Sequence, residues 1–186
     1  MALAAMALCA AAQEPVDNRI FAPPAGARFP AGASVRVIAR MAPGAEMKLD
    51  GVPLSMESPH PGVATLELKL TPGAHTFQLG DQSIRVVAGD GVDEGKPFRA
   101  HPPVSNCGAC HTVRNGRWRF LRASLSNVCS QCHAKETFPA RHTHAMDVLP
   151  DCQMCHDPHG STAAAHLKMD RDAACRQCHS LQPRAP

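Results

Sequence analysis

From residue 20 onward, apolar and polar side chains alternate with a period of two, the repeat that turns one face of a strand into a core and the other into water. Val35, Val37, Ala39 and Met41 share a face, with Arg36 and Arg40 opposite; Leu66, Leu68 and Leu70 do the same against Glu67 and Lys69. Asp50-Gly51, between Met47-Lys48-Leu49 and Val52-Pro53-Leu54, has the chemistry of a tight hairpin, since both positions tolerate positive φ. Thr71-Pro72-Gly73 separates a strand over about 64–70 from one over about 74–79, and Gly80-Asp81 turns into a third over about 83–88. Turns at this cadence predict an all-β antiparallel sandwich-like module over residues 20–90. Residues 89–100 show neither period and are rich in Gly and charge, so 91–100 reads as a linker.

Beyond residue 100 the regular alternation stops and a different repeat begins. Cys-x-x-Cys-His occurs four times, as Cys107, Cys110, His111; Cys129, Cys132, His133; Cys152, Cys155, His156; and Cys175, Cys178, His179. With 11 histidines in 186 residues, four such coincidences arise by chance on the order of once in 100,000 trials. Each copy reads as an attachment site for a c-type haem, the two thiols capturing the vinyl groups and the histidine ligating iron. Zinc held by cysteine pairs is the competing chemistry, but zinc does not need the histidines. A thioredoxin-like redox pair would be expected once, on a strand-to-helix turn.

The first cysteines lie 22, 23 and 23 residues apart, too little chain for each segment to build its own core. Composition points the same way: aromatics are 4 %, with one Trp and no Tyr, and Pro and Gly together number 30. Residues 101–186 are therefore expected to form a loop-rich, short-helix tetrahaem domain whose interior is the haems themselves. Short helices are expected at or just after each motif, and 116–126, with Trp118, Phe120, Leu121 and Leu125, reads as a further helix. Trp118 and Phe120 read as packing for a porphyrin. This half carries net charge +4, with 10 Lys and Arg against 6 Asp and Glu, suited to haem propionates rather than to nucleic acid, for which there is no motif.

Each motif supplies one axial ligand, and the second decides between carrier and catalyst. The spare histidines here are His101, His142, His144, His159 and His166. His159 sits on a short turn with Pro158, three residues after His156, and is placed to reach a neighbour's iron rather than its own. Met146, Met154 and Met169 are rival ligands, Met154 reading as filler inside its own motif. With five histidines available, bis-His coordination and low potentials are expected. His60 and His75, in the β module, read as surface histidines.

Residues 1–12 form a short apolar run ending in small side chains, suited to a cleaved export signal and too short to span a bilayer; Cys9 falls within it. No other stretch is long and apolar enough to be a transmembrane span. A periplasmic or otherwise exported protein is expected, which fits haem attachment outside the cytoplasm.

Two resemblances add to this. Leu70-Thr71-Pro72-Gly73-Ala74-His75 followed by a strand resembles small bacterial immunoglobulin-like modules. Cys152 to His179, with His156-Asp157-Pro158-His159-Gly160 and Leu167 inside it, is similar to the doubled motif of multihaem cytochromes c. That second resemblance implies a periplasmic or cell-surface electron carrier or conduit subunit serving redox partner proteins, among them a membrane-bound quinol oxidase-type donor or an outer-membrane conduit. The first motif pair departs from it, with Thr112-Val113-Arg114 where a Pro-His would follow His111, so its distal ligands fall to His101, His142 or His144. A reductase subunit with one open distal site is the second functional reading, for which Arg141 beside His142 is the suggestive residue. A zinc-stabilised binding protein led by the β module is the third.

Overall fold

Alternation becomes strands in the computed structural model, which describes residues 17–60, 62–91, 93–102, 106–114, 117–134, 144 and 151–179. The strands of the first half are β1 (Arg19–Ala22), β2 (Ala27–Phe29), β3 (Ser34–Arg40), β4 (Met47–Leu49), β5 (Val52–Pro53), β6 (Glu57–His60), β7 (Val63–Lys69), β8 (Gly73–Leu79), β9 (Gln82–Ala88) and β10 (Lys96–Pro97). They make a four-stranded sheet in the order β1-β3-β7-β6 and a six-stranded sheet in the order β10-β2-β9-β8-β4-β5. The inward faces supply one core: Ile20, Val35, Val37, Ala39 and Leu70 from the first sheet side meet Phe29, Met47, Phe77, Leu79, Ile84 and Val86 from the second. Register explains the selection, because Val35 pairs with Leu68 and Val37 with Leu66, and opposed residues share a face.

Asp50 and Gly51 turn β4 into β5 with φ of 52° and 83°, the paired positive values that their side chains permit. Two features depart from expectation. The second sheet is mixed rather than wholly antiparallel, since β2 runs parallel to both β9 and β10. Those pairings join distant short segments with no hairpin turn between them, so no local pattern marks them. The expected linker at 91–100 is also partly built in: Lys96 and Pro97 extend the sheet, and Phe98 packs on Phe29 with ring centroids 5.1 Å apart.

The second half has little regular structure. Its strands β11 (His111–Arg114) and β12 (Arg117–Phe120) form a hairpin, and its α-helices are α1 (Leu125–Cys129) and α2 (Arg171–Arg176). Thus 117–120, expected in a helix, is a strand: Arg117, Trp118, Arg119 and Phe120 alternate, and Trp118 pairs with Val113. Short helical turns lie at the motifs, with 3-10 turns at Cys107–Ala109 and Cys152–Met154, while α1 and α2 lead into the second and fourth motifs from before and a further 3-10 turn, Ala164–His166, follows the third. The signal segment 1–12, His142, Met146 and Arg141 lie outside the described residues. No helix among the described residues is long and apolar enough to cross a membrane.

Candidate haem-binding site

Local capping fixes the motifs. Ser124 caps α1 by accepting from the Asn127 amide, Asp151 caps the third motif's turn by accepting from Gln153, and Asp170 caps α2 by accepting from Ala173. In the second, third and fourth motifs the histidine amide then donates to the carbonyl of the first cysteine, at 2.9, 2.9 and 3.0 Å for His133, His156 and His179. One helical turn thus carries both thiols and the imidazole. The first motif shares the bond from the amide of its second cysteine to the carbonyl of its first, at 3.2 Å, but differs in its histidine, because His111 opens strand β11.

All eight motif thiols are unpaired. Burial, then the neighbouring Cys152 thiol, pushes Cys129 up to about 12, and burial also raises Cys110, which keeps both in the thiol form. Cys129 and Cys152 are close enough to hydrogen-bond, so the second and third motifs adjoin. Among the described residues no group of three or more acidic, Cys or His side chains surrounds a point that would hold a bare metal ion.

The histidines form pairs. His111 and His159 have ring centroids 6.3 Å apart and planes within 4°, His101 and His133 lie 5.9 Å apart, and His144 and His179 lie 5.7 Å apart. In each pair one member belongs to a motif and the other does not. Spacings of this size would let each pair of imidazoles hold one haem iron between them. His166 lies edge-on to His101 at 5.4 Å, and its Nδ1 is buried without a hydrogen-bond partner. Burial, then His166, His133 and His159, depresses the His101 pKa, which favours its neutral form.

Second partners orient the rings. His156 Nδ1 donates to the Ala165 carbonyl at 2.7 Å, a bond that fixes the orientation of the ring. His159 is held by Asp157, whose carboxylate accepts from the His159 amide at 2.9 Å and lies 3.4 Å from its Nδ1. His111 stands between Trp118, edge-on at 5.2 Å, and Phe120, nearly parallel at 5.2 Å. His75, by contrast, uses both nitrogens, on the Asp50 carboxylate at 2.7 Å and the Thr71 carbonyl at 2.8 Å, and is buried rather than superficial. Met154 is exposed and Met169 half-buried.

Residues of the β module reach this cluster, which no local pattern announced. Phe21 approaches His159 at 5.8 Å, and exposed His60 meets Trp118 edge-on at 4.6 Å. Arg99 and Ser161 exchange backbone hydrogen bonds at 2.8 and 3.0 Å. Asp157 was equally unmarked, although its position two residues before His159 is a common side-chain-to-backbone spacing.

The residues present fit covalently bound haem: thiols in pairs and not joined as disulfides, a histidine adjoining each pair, and a second imidazole beside His111, His133 and His179. A family model described as the doubled CXXCH motif matches residues 144–183. The doubled motif implies covalently bound c-type haem and electron transfer. Solved fibronectin(III)-like modules of CbhA from Clostridium thermocellum align with 41 % of this chain and 99 % of their own, at 21 % identity and a TM-score of 0.32. No curated protein matches the chain.

Proposed function

We propose that the chain is an exported tetrahaem c-type cytochrome that passes single electrons between redox proteins. The observation that carries this is the repeated pairing of a motif histidine with an outside histidine, at 6.3, 5.9 and 5.7 Å. When bound, haem supplies the one-electron iron couple. The chain fixes the thiols on short capped turns, commits one nitrogen of His156 to Ala165, and lines His111 with Trp118 and Phe120. Two imidazoles per iron would hold potentials low and would leave no position for a substrate, which favours a carrier over a reductase subunit. Residues 1–12 would direct export, and a membrane-bound quinol oxidase-type donor or an outer-membrane conduit would be the partners.

Pyridine haemochrome analysis with intact mass of the purified protein tests this directly. Four covalent haems per chain are expected, and a chain without covalent haem overturns the reading. Reduced protein should fail to bind CO; rapid binding counts against four bis-His haems.

A further inference from the structure

His159 follows the third motif in sequence but lies against the histidine of the first. We infer that His159 and His111 are the two axial ligands of one iron, that of the haem on Cys107 and Cys110, so that ligation crosses between the two motif pairs. This rests on the haem reading above and deepens it. The two rings lie 6.3 Å apart with planes within 4° of each other, too far for direct ring contact and wide enough to admit an iron between them. Both rings are oriented by neighbours, His111 by Trp118 and Phe120 on either side and His159 by Asp157, whose carboxylate lies 3.4 Å from its Nδ1. The crossing also supplies the first motif with the distal histidine that Thr112-Val113-Arg114 denies it.

The β module holds this ligand in place. Ser161, two residues beyond His159, is fastened to Arg99 by two backbone hydrogen bonds, and its hydroxyl donates to the Leu167 carbonyl. Gly160 between them is buried at φ +117°, where a Cβ would stand 2.8 Å from Phe98 Cε2 and 2.9 Å from the Arg99 carbonyl oxygen. Phe21 closes on the His159 ring from the same module. Gly160 and Arg99 are positioning residues for the ligand.

The test uses the full-length holoprotein and reads haem count and spin state together. His159→Ala should keep all covalent haems and convert one to a high-spin, CO-binding form by EPR and absorbance. Cys107→Ser with Cys110→Ser should remove one haem, and adding His159→Ala to that background should produce no high-spin haem. A high-spin haem in the combined variant, or none in His159→Ala alone, overturns the assignment. Should His159→Ala lower the haem count, His159→Met keeps a ligand and is read by redox titration: one component should rise, and an unchanged titration overturns the assignment. Gly160→Ala should shift that same component with haem count intact, whereas a general loss of stability would shift all components or none. Absence of covalent haem in the unsubstituted protein would sink the parent reading instead, which keeps the two failures apart.

Discussion

His75 and His156 show how a single residue's hydrogen bonds decide its role. His156 donates from Nδ1 to the Ala165 carbonyl beside its two cysteines, whereas His75 engages both ring nitrogens, with the Asp50 carboxylate and the Thr71 carbonyl, and is structural. Burial works to lower the His75 pKa, but the Thr71 carbonyl and the Asp50 carboxylate outweigh it and the net shift is upward. Burial likewise opposes, and the His75 and Thr76 bonds outweigh it, so Asp50 is lowered below 3.8. The raised histidine contributes stability that is full below about pH 6.5 and is lost as pH rises through its folded value. The lowered carboxylate contributes stability that is full above about pH 4 and is lost as pH falls through its folded value. The β module should therefore be most stable in the mildly acidic window between, and His75→Ala should flatten that profile. The same substitution should cost about 2 kcal/mol at pH 6 for the two lost hydrogen bonds, measured by urea melts of the holoprotein at several pH values.

At the scale of elements, strands with a clean period and marked turns were legible from sequence. The β7, β8 and β9 strands and the Asp50-Gly51 hairpin fall where alternation and turn chemistry place them. The β11–β12 hairpin was not read, although Asn115-Gly116 between Val113-Arg114 and Arg117-Trp118 carries the same turn signal. Aromatic content there suggested a helix wrapped on porphyrin, whereas period two puts Trp118 and Phe120 on the same face of β12, where both rings meet His111. The eight cysteines and four motif histidines stand out in sequence because their spacing is local; which other histidine lies beside each does not, because that is set by how the turns pack. Trp118 lies on β12 with its indole nitrogen buried and without a partner. Trp118→Phe keeps the ring packing and removes that unsatisfied donor, so it should be neutral or stabilising by about 1 kcal/mol. Trp118→Ala should instead destabilise by about 2 kcal/mol and loosen His111. Thermal melts of the two variants, paired with CO binding to the reduced protein, separate these outcomes.

At the scale of the molecule, the segment expected to separate two modules instead ties them. Lys96 and Pro97 complete the second sheet, Phe98 leans on Phe29 in the sandwich core, and Arg99 bonds Ser161 beside the paired histidines. One side chain, Phe98, thus faces the sandwich core on one side and the buried Gly160 turn on the other. A tethered module would let the sandwich be disturbed without consequence for the haem region; this arrangement does not. Phe98→Ala should weaken the sandwich by about 2 kcal/mol, since the ring is half-buried and only part of its surface leaves water. It should at the same time move the potential of one haem, because the turn bearing His159 loses its backing. Val52→Ser, on the exposed edge strand β5, removes an apolar side chain that packs on nothing comparable and should change neither quantity. Redox titration alongside urea melts of both variants measures the coupling: if Phe98→Ala lowers stability while every haem potential stays fixed, the sandwich and the haem region are mechanically independent.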